Sequence, residues 1–235
     1  MIKQTPGKIF LADQRGLTET SQFRRYSTFN FGSYAHEHKQ PFGQLYAVNE
    51  ETLGGTQQLD FTAEQDSHLL LLPVTGALTV GLPSGQGITV EVEEIQLLTV
   101  SAGSTIRLSN PYENELITFL HLWIRAEQTG PALTQQQFAF KLSAIENQLT
   151  EVVAASQPTQ QLPFSVSLGW FAGRQEAVYN LKPGASLFAY VLAGAFEAHG
   201  RLLHEKDGLA LWETDEVELE ALSNNAWVVV IELKA

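Results

Sequence analysis

The chain reads as an all-β protein made of two tandem antiparallel sandwiches, and three observations predict this. Short apolar runs are separated by Gly, Pro, Asn and Asp along most of its length. Many of these runs alternate with period two, as in Ile88-Thr89-Val90-Glu91-Val92 and Val217-Glu218-Leu219-Glu220-Ala221-Leu222, which turns one face of a strand to a core and the other to water. One unit is also written twice. Leu70 to Leu78 and Phe188 to Phe196 are each an apolar strand entering a turn centred on a glycine, Gly76 or Gly194, and leaving as a second strand.

The elements follow in order. Met1 to Pro6 carries no apolar signal core. The first half runs through aromatic-rich segments at Arg24–Tyr34 and Phe42–Glu50, the glycine-turn unit, a rise at Glu94–Leu98 and a closing apolar strand, Thr118–Ile124. Helical periodicity is confined to Thr134–Leu149, where Phe138, Leu142, Ile145 and Leu149 recur at steps of three and four, beside a Gln-rich, Pro-bounded stretch reaching about Pro163. This predicts a short helical or irregular connector and a division into residues 1–130 and 131–235. The second half repeats the rise at Gly208–Trp212, turns at Asn224-Asn225 and closes on Trp227–Leu233. Each half has enough alternating strands to bury one face of each of its sheets.

With 235 residues, 44% hydrophobic and 17% charged, the chain is long enough for two modest cores. Its formal charge of −12, with 14 Lys and Arg that form no run, repels phosphate backbones, so no direct nucleic-acid partner is expected. The absence of cysteine excludes disulfides, thiolate metal sites and cysteine nucleophiles. The most apolar window, Leu69–Val80, is broken by Pro73 and Gly76 and is too short to span a bilayer. A soluble cytoplasmic protein with no membrane partner, and a monomer, are the expectations.

The segment Arg24-Arg25-Tyr26-Ser27-Thr28-Phe29-Asn30-Phe31-Gly32-Ser33-Tyr34 resembles the aromatic F-S-F-G-x-Y signature of pirins and pirin-related proteins. Phe42-Gly43-Gln44-Leu45-Tyr46-Ala47-Val48-Asn49-Glu50 is similar to their F-G-x-L-R-V-x-N-E/D segment. Order and spacing continue through Thr75-Gly76-Ala77-Leu78, Ala102-Gly103 and His121-Leu122-Trp123-Ile124. The match covers roughly residues 10 to 125, and the second half follows by strand order. The resemblance implies a bicupin: two double-stranded β-helix (jelly-roll) barrels, with any metal site in the first.

In metal-binding pirins one strand carries His-Pro-His and a later one His-x-Glu, an open iron site suited to oxygen chemistry. Counted from Gly76, the first pair falls here on Thr62 and Glu64; counted from Gly103, the second falls on Leu108 and Asn110. No histidine lies between His68 and His121. The pattern looks like the divergent subgroup that lacks the usual ligands, so no cofactor is expected. An alternative set for iron or another divalent metal is Glu64, His68 and His121, if Glu64, Asp66 and His68 share one side of a strand and converge with His121, which has Trp123 on its face. His36 and His38 read as a solvated loop pair, and His199 and His204 as flanks of a turn at Gly200.

No Gly-x-Ser-x-Gly elbow, phosphate-cradling loop or dinucleotide fingerprint is present. Glu64 inside an apolar barrel would be a candidate base. The acidic alternations at Glu91–Glu94 and Glu213–Glu220 read as solvent-facing positions that discourage edge pairing. The leading expectation is a metal-free, non-oxygenase bicupin that binds a small molecule or a protein. The alternatives are a dioxygenase of quercetin 2,3-dioxygenase type using unconventional ligands, and a regulatory protein-interaction module.

Overall fold

The computed structural model describes residues 5–82, 85, 87–127, 133–157 and 160–234. Its strands are, through the first half, β1 Gly7–Phe10, β2 Gly16–Glu19, β3 Phe23–Ser27, β4 Leu45–Leu53, β5 Gln58–Thr62, β6 Ser67–Thr75, β7 Leu78–Gly81, β8 Gly87–Val90, β9 Glu94–Val100, β10 Thr105–Ser109 and β11 Ile117–Arg125. They continue as β12 Thr134–Ala139, β13 Thr150–Val153, β14 Phe164–Phe171, β15 Glu176–Asn180, β16 Ser186–Ala193, β17 Phe196–Ala198, β18 Arg201–Leu203, β19 Gly208–Leu211, β20 Glu216–Ala221 and β21 Ala226–Leu233. Short 3-10 turns at Ala12–Gln14 and Leu142–Ala144 are the helical pieces among the described residues.

Two compact units result. Residues 15–139 form the first; the chain from Phe140 onward, together with the segment through Gln14, forms the second. In the first unit a seven-stranded sheet, β12-β9-β6-β11-β4-β3-β2, accompanies a four-stranded sheet, β5-β10-β7-β8. In the second, a six-stranded sheet, β1-β19-β16-β21-β14-β13, accompanies β15-β20-β17-β18. Each unit is a jelly-roll barrel with an apolar interior. Leu69, Leu78, Leu98, Leu108 and Phe119 are among the buried residues of the first core; Leu187, Phe196, Val217, Val228 and Val230 are among those of the second.

Local sequence explains the strand types. The four-stranded sheets alternate, as in Thr105–Ser109, where Ile106 and Leu108 are buried between exposed Thr105 and Arg107. The central strands β6, β11, β16 and β21 are buried on both faces and read as continuous apolar runs. Pro73 is tolerated within β6 because pairing with β9 has already ended at Leu71↔Gln96. The repeated glycine turns occupy matching corners, where the chain passes from the long sheet to the four-stranded one (β6 to β7, β16 to β17), with φ of +72° at Gly76 and +75° at Gly194; only glycine enters that region without a Cβ penalty.

Two sequence expectations change. The boundary at 130/131 falls in residues 128–132, outside the described residues. The units themselves divide elsewhere: β12 pairs with β9 and belongs to the first unit, while β1 pairs with β19 and belongs to the second. The expected helix at Thr134–Leu149 is instead β12 followed by a single 3-10 turn. The three-four spacing of Phe138, Leu142, Ile145 and Leu149 straddles the join between these two pieces. Within Thr134–Ala139 the ladder to Glu94–Thr99 supplies the backbone with partners that overrule so short a periodic signal.

Candidate functional site

The first barrel contains a polar centre, and strand register builds it. On β3, β4 and β11 the pairs Arg25↔Glu51, Ser27↔Asn49, Glu51↔Phe119 and Asn49↔His121 put Arg25, Asn49, Glu51, Phe119 and His121 on one face, the face that carries the core residues Ala47 and Leu53. Trp123 pairs with Ala47 and joins them. A register shift follows, since Ile124 pairs with Leu45 and leaves Tyr46 as the extra residue of a bulge. That extra residue packs its ring against the same core and bonds its hydroxyl to Ser67 Oγ at 2.7 Å.

These side chains form one hydrogen-bonded chain. Trp123 Nε1 donates to His121 Nδ1 at 2.8 Å, and His121 Nε2 donates to Glu51 Oε1 at 2.7 Å. Arg25 Nε donates to the same carboxylate oxygen. An indole N–H can only donate, so it fixes the tautomer: Nδ1 is the acceptor and the imidazole proton resides on Nε2. The side chains of His121 and Glu51 are fully buried. Burial lowers the His121 pKa from its ordinary value, against the opposing pull of the Glu51 hydrogen bond and charge. The imidazole is therefore neutral, and Arg25 and Glu51 form the charged pair. Glu51 Oε2 and both amide atoms of Asn49 are buried and make no hydrogen bond to a described residue.

Above this chain lies a cavity of about 470 Å³, within the range typical of small-molecule sites. Its apolar walls are Phe31, Tyr34, Tyr46, Phe61 and Trp123, and Arg25 is its cationic lining group. The guanidinium lies 5.0 Å from the ring centroids of both Phe31 and Phe61 and 5.1 Å from that of Phe23. Phe61 and Phe31 also cover His121, at centroid distances of 4.8 and 5.7 Å. Asp60 lines the rim but is held bidentate by Arg107, at 2.7 and 2.8 Å, which lowers its pKa.

The positions inherited by counting do not come together. Thr62 and Glu64 are exposed at the cavity rim, and Thr62 Oγ1 bonds Thr105 Oγ1 across the strand pair at 3.1 Å. Leu108 is fully buried in the core, paired with Leu59 and Val80. Asn110 is a loop anchor: its amide donates to the carbonyls of Leu53 and Glu115 and accepts from the N–H of Tyr112.

The alternative set of Glu64, His68 and His121 is also not assembled. It assumed one strand from Glu64 to His68, but residues 64–66 form a bend and β6 begins at Ser67. His68 therefore takes the face opposite that of Leu69 and Leu71, bonds Thr99 Oγ1 at 2.9 Å through Nδ1, and has its pKa lowered by burial to about 4. Asp66 accepts from the N–H of Ala102. Among the described residues no three His, Cys, Asp or Glu side chains are grouped so as to hold a metal ion.

His36 and His38 lie on an exposed loop, and His199 bonds Thr5 Oγ1 at 2.7 Å in the second unit. Sequence reasoning paired His121 with Trp123 but missed Arg25 and Glu51. The available signal was parity: in the strand from Leu45, Glu51 falls on the side of Ala47 and Leu53, a carboxylate where an apolar residue is the norm.

Two jelly-roll barrels in tandem, each combining a long sheet with a four-stranded one, define a bicupin. Residues 160–233 match the family model described as the quercetinase C-terminal cupin domain. Over 221 residues the chain is 23% identical to a quercetin 2,3-dioxygenase of Escherichia coli K12, covering 91% of this chain and 93% of that protein. A putative quercetin 2,3-dioxygenase of Pasteurella multocida is 20% identical, with 94% and 97% covered. Among solved structures, YhhW from Escherichia coli superposes with a TM-score of 0.85 at 17% identity, covering 97% of each chain. The bacterial pirin YhhW in complex with nickel(II) gives 0.84 at 18%, with 97% and 99% covered. The chain therefore has the bicupin fold of these pirin structures, and its second half matches the quercetinase C-terminal cupin domain.

Proposed function

We propose that this protein is a pirin-like bicupin that works without the family's iron site and binds a small aromatic molecule in its first barrel, with no oxygenase activity. The observation that carries the reading is the chain Arg25–Glu51–His121–Trp123, which occupies both nitrogens of the one histidine at the centre of that barrel. The positions that match the family's metal site offer a core leucine, an amide spent on backbone carbonyls and two rim side chains. This donor set does not fit an open iron centre. The aromatic walls beside it supply the apolar, few-donor lining of a ligand pocket.

The test is metal content of untagged protein purified without chelator and challenged with iron, zinc, copper, manganese and nickel, with binding of small aromatic compounds followed by tryptophan fluorescence. Substoichiometric metal with saturable binding is the expected result. The names of the relatives favour a second reading, a metal-dependent dioxygenase acting on a flavonol. Stoichiometric metal with metal-dependent consumption of quercetin would establish it and overturn the first.

A further inference from the structure

We propose that the cationic centre of the first barrel is the guanidinium of Arg25, and that it binds the acceptor oxygen of an uncharged, planar aromatic ligand. This rests on the small-molecule reading of the cavity given above. Arg25 lines the cavity, its side chain retains 15% exposure, and its Nε is committed to Glu51. The Nη groups make no hydrogen bond to a described residue, which leaves the outer edge of a donor fork facing the space where a ligand would sit. Glu51 on one side and the rings of Phe23, Phe31 and Phe61 on the others hold that fork in place before any ligand arrives.

The charges choose the ligand class. The Arg25 charge is already balanced by Glu51, and that of Asp60 by Arg107. Glu64 at the rim adds one more negative charge, on a chain of net charge −12. An anionic ligand would be desolvated into an uncompensated negative site, whereas a carbonyl or phenolic oxygen satisfies the Nη donors at no such cost. Trp123 is 3% exposed and its indole nitrogen is tied back to His121, so it adds a small apolar patch of fixed orientation to the cavity wall.

The experiment titrates the intact protein, in the presence of EDTA, with three bicyclic probes of similar size: chromone (neutral, one carbonyl), naphthalene (no acceptor) and 2-naphthoate (anionic). Calorimetry or Trp fluorescence reads the dissociation constants. Chromone binding at least about tenfold tighter than either of the others is expected. Arg25→Lys keeps the charge but loses the fork, and should weaken chromone by about tenfold while leaving naphthalene unchanged. Naphthalene binding as well as chromone, 2-naphthoate binding best, or a folded Arg25→Lys variant with full chromone affinity each overturns the role of Arg25 while the aromatic pocket stands. Failure of all three probes to bind overturns the pocket reading as well. The probe series on the unaltered protein decides the matter even if the variant does not fold.

Discussion

The two barrels share a register but fill their centres with opposite chemistry. Aligning the repeated glycine turns through the pairs His121↔Leu71 and Val230↔Ala189 sets His121 of the first unit against Val230 of the second. The pairs Asn49↔His121 and Ser167↔Val230 then set Glu51 against Gly169. Where the first barrel carries a buried carboxylate and imidazole, the second has a fully buried valine and a glycine whose missing side chain is replaced by the ring of Phe171. That ring stands edge-on to Phe196 at 5.7 Å. A buried carboxylate of the second barrel lies instead at a strand end, where Glu232 meets Tyr179 and Lys182. An apolar plug is the stable way to fill a barrel. A buried ion pair with unsatisfied carboxylate and amide atoms is not, and it stands beside the cavity in which the proposed ligand would bind.

The sharpest way to break this contrast is to remove the carboxylate. Glu51→Leu strands the Arg25 guanidinium against aromatic rings and should cost about 3–5 kcal/mol in urea denaturation. Adding Arg25→Met to it should recover most of that loss, because a matched apolar pair replaces the ion pair. If Glu51→Leu alone is neutral, the polar centre is not held as described. The corresponding change in the second barrel is Gly169→Ala. Its Cβ would overlap the Phe171 ring, and overpacking of this kind costs about 1–3 kcal/mol. Metal content and ligand binding in the first barrel should be unaffected by it.

The sequence made the architecture legible for a physical reason: alternation, glycine turns and the repeat are local signals, and all three were read from contiguous residues. The site was legible only in part. Counting from Gly76 found Thr62 and Glu64 at the cavity rim, and counting from Gly103 found Leu108 and Asn110. Neither count reveals which face a side chain takes after a bend, and the bend at residues 64–66 is what sends His68 to the opposite face from His121. Arg25 and Glu51 stayed hidden because their meaning lies in cross-strand pairing between segments distant in sequence. That β1 belongs to the second unit and β12 to the first is hidden for the same reason.

The same two histidines give the contrast a pH dependence. The folded pKa of His68 lies near 4 and that of His121 is also lowered, against an ordinary value of 6.5. The unfolded chain therefore binds more protons below pH 6.5, so stability is full above that pH. It should fall as pH drops from about 6.5 toward 4, with a slope of up to about 1.4 kcal/mol per pH unit for each histidine. His68→Leu should flatten part of this slope in denaturation measured from pH 7 to pH 4, and an unchanged slope would assign the acid sensitivity to other groups.

The smallest effect is expected at the positions that counting alone would have chosen. Thr62 and Glu64 are exposed, and the hydrogen bond of Thr62 is to another exposed hydroxyl. Thr62→Ala and Glu64→Ala should each change stability by no more than about 0.5 kcal/mol, and metal content should stay as it is in the unaltered protein. Glu64→Ala also removes one negative charge from the cavity rim. It should therefore narrow the discrimination against 2-naphthoate while leaving chromone affinity nearly unchanged. If Glu64→Ala instead abolishes metal retention or quercetin consumption, the rim carboxylate is a ligand, and the division between a polar barrel and a plugged apolar one would have to be redrawn around a metal.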